Sequence, residues 1–343
     1  MTKQLKTTAR IGDIGIYLPE KILKNDELAR LYIDWSAEKI LEKTGISERR
    51  IASENQTAGD MAYEAACNLF SQGKFAAHDV DFIILCTQAP DYILPTTACL
   101  LQDRLGISRH AGAIDINLGC SGFVYGLSLA KGLIETGAAQ CVLLLTADTY
   151  SKYIHPLDKS VRTLFGDAAA ATAIVASESV DQQIGPFVFG TDGSGAKNLI
   201  VEAGMYRMPN SCQTSIEQTD QSGNVRSRDN LYMNGAEIMA FSLKEIPKAM
   251  DSLLLKTGKT KDEIDYFVLH QANKFILDAL RKKLKIEVEK LPILMGDVGN
   301  TVSSTIPLAL FKMRDQGMLV DKKNMMLIGF GVGYSWSACL LSM

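Results

Sequence analysis

The two halves of this chain repeat each other at a spacing of roughly 180 residues, the mark of an internal duplication. Val80-Asp81-Phe82-Ile83-Ile84-Leu85-Cys86 lines up with Ile264-Asp265-Tyr266-Phe267-Val268-Leu269-His270, an acidic residue entering an apolar run in each. Asn117-Leu118-Gly119-Cys120 lines up with Asp297-Val298-Gly299-Asn300, and Cys141-Val142-Leu143-Leu144-Leu145 with Asn324-Met325-Met326-Leu327-Ile328. Short apolar runs of this kind have the character of buried strands. Halves packed about a pseudo-twofold axis bring equivalent strand ends together near the axis. Cys120 and Asn300 hold the same place in the two repeats, and His270 follows on a neighbouring strand of the second half.

Helical patterns separate the apolar runs: 97–105 follows 80–85, and 121–136 follows 113–116, before the runs 141–147 and 168–175. The second half gives 264–269, a helix over 273–284, a helix after Asn300 with Pro307 near its start, and the runs 325–329 and 335–341 joined by Gly329-Phe330-Gly331-Val332-Gly333-Tyr334. This rhythm predicts an α/β chain with mostly parallel, buried sheets covered by helices. We expect one unit over 1–180, carrying the cysteine, and a second over 181–343, carrying the histidine and asparagine. The polar stretch 190–230 reads as a long surface excursion bordering the site, since compact domains rarely carry such loops without purpose.

Composition narrows the function class. In 343 residues, 47% are hydrophobic, enough for two core-bearing units, and the formal net charge of -3 offers no global field for nucleic acid. One local basic patch exists, Arg281-Lys282-Lys283 with Lys285. Seven cysteines without paired spacing favour reduced thiols in a cytoplasmic compartment. No metal cluster is expected, because CxxC and HExxH are missing and the chain has four histidines. Neither a signal segment nor a run of ~20 apolar residues suggests secretion or a membrane span.

Cys120 stands where a strand pattern stops and a helix pattern begins. The first-turn amides of a helix lack intrahelical partners and carry about half a positive charge, so a thiolate placed there is stabilised and its pKa is expected to fall. The glycine before Cys120 and Ser-Gly after it favour a nucleophile over a packed small hydrophobe, the reading that suits Cys67, Cys86, Cys99, Cys141 and Cys339. His270 alone could be a strand-end histidine bonded to backbone, and Asn300 in Gly299-Asn300-Thr301 could be a helix cap. Gly331-Val332-Gly333 resembles a phosphate loop, but no helix follows it. A better role is a backbone amide aimed, together with that of Cys120, at a developing oxyanion.

Five motifs in order, Asn-Leu-Gly-Cys120-Ser-Gly-Phe, Phe165-Gly166-Asp167-Ala-Ala, His270-Gln-Ala-Asn273, Gly299-Asn300-Thr301 and Gly329-Phe330-Gly331-Val332-Gly333-Tyr334-Ser335-Trp336, resemble 3-ketoacyl-acyl-carrier-protein synthase III, a condensing enzyme of the thiolase superfamily. The resemblance runs from Ile11 to the C-terminus. It implies a five-layer αβαβα fold of two duplicated halves, a homodimer, and a ping-pong reaction. Cys120 would take an acyl group from a primer thioester, with its oxyanion held by the amides of Cys120 and Val332. A malonyl thioester would then lose carbon dioxide, with His270 and Asn300 donating to the enolate and Phe330 walling the reacting carboxylate. No bound cofactor is implied; coenzyme A or phosphopantetheine thioesters are substrates, and acyl carrier protein is the partner.

The departures bear on the primer. Where relatives sandwich the adenine of coenzyme A between a tryptophan and an arginine, this chain places Lys39 and Lys159, with Trp35 one helical turn earlier; lysine does not stack as those planar groups do. Leu94 replaces the phenylalanine that walls the short acyl pocket across the dimer. Phe275 and Ala240 replace basic docking residues, while Lys274, Arg281, Lys282 and Lys283 keep the helix after His270 basic. Phe165 and Gly235 complete the expected substrate-binding set. The expectation is a decarboxylating condensing enzyme with a specialised primer. An acyltransferase passing the group from Cys120 to an alcohol or amine is the alternative, and a papain-like peptidase, which shares the order Cys, His, Asn, fits the duplicated pattern poorly.

Overall fold

The computed structural model describes residues 6–32, 34–179, 181–320 and 324–342. Residues 1–5, within the N-terminal stretch read for a signal segment, lie outside it. β1 (Lys6–Tyr17) comes first, then an antiparallel pair, β2 (Lys21–Lys24) and β3 (Glu48–Ile51), enclosing α1 (Asn25–Leu31) and α2 (Ala37–Thr44). Next are α3 (Ala58–Ser71), β4 (Phe82–Cys86), α4 (Thr97–Arg104), β5 (Gly112–Ile116), α5 (Gly122–Glu135), β6 (Cys141–Asp148), α6 (Lys159–Arg162) and β7 (Ala168–Ser179). β8 (Ile184–Thr191) leads into the polar excursion with its two-residue strands β9 (Leu199–Ile200), β10 (Gln218–Thr219), β11 (Val225–Arg226) and β12 (Tyr232–Met233). The chain then runs through α7 (Gly235–Thr257), β13 (Tyr266–Leu269), α8 (Lys274–Leu284), α9 (Thr305–Asp315), β14 (Asn324–Gly331) and β15 (Ser335–Ser342).

Two sheets result, ordered β1-β7-β6-β4-β5 and β8-β15-β14-β13. Written from the same end they are one topology used twice, and the partner of β5 is the irregular segment around Pro292 to Met295. The acidic residue that opens each repeat does the same job in both. Asp81 accepts from the amides of Gln140 and Cys141, and Asp265 accepts from the amide of Asn324, so each ties the start of one strand to its neighbour.

The sheets are mixed, not mostly parallel. β4 runs parallel to β5 and β6, and β13 to β14, whereas β1–β7, β6–β7, β14–β15 and β15–β8 are antiparallel. Each parallel pair has at least one helix between its strands in sequence, as a crossover requires; β14 and β15 meet through the short glycine turn, which allows only a reversal. α5 and α9 lie between the sheets, α3 and α4 cover the first, and α7 and α8 cover the second, giving five layers, αβαβα. α5 is apolar around most of its circumference, burying Phe123, Val124, Leu127, Ala130 and Ile134. A helix of that composition belongs between two sheets. Cys99, expected inside, faces outward on α4.

Candidate active site

Cys120 follows β5 and immediately precedes Ser121, the N-cap of α5, so the strand-to-helix junction read in the sequence is where the thiol sits. It is 5% exposed. Ser121 is tied to β15 twice, Oγ to Ser335 Oγ at 2.8 Å and through its carbonyl, which accepts from Ser337 Oγ at 3.0 Å. β14 crosses close above: a Cβ on Gly329 would lie 2.8 Å from the Cys120 carbonyl oxygen, and one on Gly331 would lie 2.9 Å from Sγ. Glycine is required at both places by this approach of backbone to nucleophile. The amides of Cys120 and Val332 lie toward the sulfur and favour its charged form. They do not win. Burial, reinforced by the nearby Asp148 carboxylate, pushes the thiol up to about 12, against the expected fall.

His270 stands at the end of β13, where its N–H extends the parallel ladder to the Ile328 carbonyl at 2.8 Å. Nδ1 lies 2.7 Å from Thr305 Oγ1. The Phe330 ring meets the imidazole edge-on, centroids 5.5 Å apart. Burial pulls the imidazole down to about 3, so it is neutral at working pH and carries a single N–H. The other residues of this motif are structural. Gln271 bonds Leu269 and Leu294, and Asn273 caps α8 through Ile276 N at 2.8 Å.

Asn300 is held by its backbone, N to the Leu164 carbonyl at 2.9 Å and its carbonyl to Gly166 N at 3.0 Å, so Phe165 and Asn300 pair as a lone bridge between the two halves. Its Oδ1 accepts from Val302 N at 3.0 Å, which leaves Nδ2 as what the side chain offers the cavity. Val302 adopts φ 54°, an uncommon conformation for a β-branched residue. Two hydroxyls over-determine that turn, Ser303 bonding Asp148 and Ser304 bonding Thr146, and the Thr305 hydroxyl lies 3.0 Å from the Val302 carbonyl. Strained backbone of this kind persists only where its surroundings enforce it. Asp167 of the Phe-Gly-Asp motif is buried and accepts from Ala52 N and Ser151 N, bracing the Phe165 turn.

A cavity of about 600 Å³ connects these groups to solvent. Its floor holds Cys120, His270, Asn300 and Phe330, all buried, while its mouth includes exposed Lys43 and Phe275 beside Trp35. Phe165 and Gly235 line it, and the polar excursion contributes Leu199. Lys39 and Lys159 do not line it. Both turn to Asp34, Lys39 through the Asp34 carbonyl at 2.8 Å and Lys159 through the carboxylate at 2.8 Å. In their place Trp35 stands at the mouth with the Lys39 and Lys43 ammonium groups over its ring, at 5.8 and 5.7 Å. Leu94 is 77% exposed, away from the cavity. On α8, Lys274 pairs with Asp278, Arg281 lies 3.7 Å from the same carboxylate, and Lys282 and Lys283 face solvent. Sequence reading missed Lys43, one helical turn beyond Lys39, and Thr305, whose type and position resemble ordinary helix capping.

Two similar sheets, five layers, and a cysteine facing histidine and asparagine at the floor of one cavity define a thiolase-fold condensing enzyme. Comparison with known proteins agrees. Residues 114–193 match the family 3-oxoacyl-[acyl-carrier-protein] synthase III and residues 254–343 match its C-terminal part. The β-ketoacyl-[acyl-carrier-protein] synthase III of Caldanaerobacter subterraneus subsp. tengcongensis is 37% identical over 336 residues, covering 98% of each chain. A crystal structure of a 3-oxoacyl-(acyl-carrier-protein) synthase III superposes with a TM-score of 0.97 at 65% identity, covering 98% of this chain and 100% of the other. That of a 3-oxoacyl-(acyl-carrier protein) synthase from Burkholderia xenovorans LB400 gives 0.88 at 36%, covering 100% and 97%. A priming β-ketosynthase from the R1128 polyketide pathway gives 0.84 at 27%, covering 100% and 98%. The chain belongs to the β-ketoacyl-acyl-carrier-protein synthase III family, a family of condensing transferases. Acyl transfer to an alcohol or amine is not favoured.

Proposed function

We propose that Cys120, His270 and Asn300 carry out a decarboxylating condensation in two half-reactions. The Cys120 sulfur attacks a primer thioester, the carbonyl oxygen charges between the amides of Cys120 and Val332, and the displaced thiol leaves with the proton Cys120 gave up. A malonyl thioester then loses carbon dioxide, and its electron pair passes into an enolate whose oxygen takes hydrogen bonds from His270 and Asn300 Nδ2. The enolate carbon attacks the acyl carbonyl, the bond to Cys120 breaks, and a 3-ketoacyl thioester departs. Phe330 supplies the apolar wall that favours charge dispersal as the carboxylate is lost. The observation carrying this reading is the buried cavity floor, where one thiol shares the space with the His270 imidazole, the Asn300 carboxamide and the backbone amides of Cys120 and Val332.

Coenzyme A or phosphopantetheine enters as substrate through the mouth at Trp35, Lys43 and Phe275, and no resident cofactor is needed. The basic face of α8, with Lys274, Arg281, Lys282 and Lys283, meets acyl carrier protein. The displacement of Lys39 and Lys159 toward Asp34 favours a specialised primer over acetyl-coenzyme A, within fatty-acid or polyketide synthesis. Tyr92, Ile93 and Leu94 are exposed, and β5 ends its sheet half-buried, which suits a homodimer covering both. Seven free thiols suit a reducing cytoplasm, and among the described residues no helix is long and apolar enough to cross a membrane.

Intact-mass spectrometry after mixing with a panel of acyl-coenzyme A and acyl-carrier-protein thioesters, with Cys120→Ala as control, tests the reading. One donor class should add its acyl mass, and malonyl carrier protein should remove it with release of carbon dioxide. An acyl mass that persists with the malonyl thioester and clears with an alcohol or amine would overturn it.

A further inference from the structure

The Thr305 hydroxyl has one proton and two acceptors within reach. Val302 O lies 3.0 Å away and His270 Nδ1 lies 2.7 Å away. The carbonyl is already partnered, because the Thr305 backbone N–H closes the preceding turn onto it. Nδ1 has no other bond recorded among the described residues. Thr305 is itself 2% exposed at the first turn of α9, so bulk water does not compete for either group.

A neutral imidazole has one N–H, and its position is set by what the other nitrogen meets. If Nδ1 holds the proton, it donates to Thr305, and Nε2 presents a lone pair to the cavity. If Thr305 donates to Nδ1, Nε2 presents an N–H. We infer that Thr305 donates its hydroxyl proton to His270 Nδ1 and so acts as a positioning residue that fixes His270 as the Nε2–H tautomer. The inference rests on the proposed role of His270 as a donor to the enolate oxygen, for which only this tautomer serves. Val302, three residues earlier in the same turn, orients Asn300 through its N–H, so one short turn sets the direction of both side chains.

The test is nitrogen-15 NMR of protein labelled at histidine, feasible with four histidines in the chain and assigned by His270→Gln. Two-bond proton–nitrogen correlations read the tautomer directly. The wild type should show a protonated Nε2. Thr305→Val, nearly isosteric but without the hydroxyl, should shift His270 toward the Nδ1–H form, and Thr305→Ser should restore it. In parallel, Thr305→Val should slow condensation about tenfold, the weight of one neutral hydrogen bond, while Cys120 acylation stays unchanged. A protonated Nδ1 in the wild type, or an unaltered tautomer in Thr305→Val, overturns the inference. His270→Ala losing acylation and condensation equally would instead remove the enolate-donor role, with the tautomer still read independently.

Discussion

Gly331 and Cys120 face each other so closely that a single methyl group on the glycine would stand 2.9 Å from the sulfur and 3.0 Å from its Cβ. The nearest real Cβ contacts are longer, so either β14 or the thiol must move. Gly331→Ala should therefore leave thermal stability close to wild type and reduce Cys120 acylation about 100-fold, the scale of a displacement near 1 Å at a reacting atom. Acyl-enzyme formation followed by mass spectrometry checks it.

The donors act on the second half-reaction. His270→Ala should retain acylation of Cys120 far better than condensation. Asn300→Asp should do the same while keeping the Val302 turn, because Oδ1 still accepts the amide whereas the Nδ2 donor gives way to a carboxylate oxygen that repels an enolate. Losses of about 100-fold or more in condensation are expected for a donor to a developing oxyanion. Equal loss in both half-reactions would contradict the assignment.

Burial pushes the Cys120 thiol up to about 12, so the free enzyme holds a thiol at neutral pH. Alkylation of Cys120 by iodoacetamide should be slow at pH 7 and climb with pH, without a plateau below about pH 10, where an activated thiolate would have levelled off. Peptide mapping against exposed Cys99 and Cys212 supplies the internal reference.

Asp148 is fully buried, and its carboxyl is pushed up to about 7, first by that burial, from a usual value of 3.8. Between these values the unfolded chain gives up the proton and the folded one keeps it. Stability from this group is thus complete below 3.8 and is lost as pH rises through about 7. The Tm of the wild type, measured against Asp148→Asn from pH 4 to 9, should fall relative to the variant up to about pH 7 and then run parallel.

Leu94→Glu places charge on an exposed apolar loop next to the free edge of the first sheet. It should convert the proposed homodimer to a monomer in light scattering, with Cys120 acylation largely kept. A variant that stays dimeric would move the interface elsewhere.

Much of this site was legible in the chain because a duplication turns sequence distance into spatial proximity. Cys120 and Asn300, 180 residues apart, hold equivalent positions, and His270 ends the neighbouring strand, so the three residues converge. The direction of the Cys120 shift was not legible. A helix N-terminus can be read from Ser-Gly after a strand, but the cover that β14 lays over the sulfur is tertiary. Lys39 also escaped, because its partner is a backbone carbonyl at Asp34 and the turn that presents it cannot be seen in residue types. Thr305 looked like a cap, and its use depends on a histidine 35 positions away.

Gln271 gives the duplication its asymmetry. In the first half β5 extends the sheet and, among the described residues, pairs with no strand beyond β4. In the second half the matching segment is irregular, and the Gln271 carboxamide serves it instead, accepting from Leu294 N at 2.8 Å and donating to the Pro292 carbonyl at 3.4 Å. One repeat therefore ends in an adhesive margin and the other in a blunt one. In the proposed homodimer, a self-complementary contact at the β5 margin is satisfied by a single second copy. The two repeats thus end their sheets differently, one margin open to a second copy and the other closed by a side chain of its own chain.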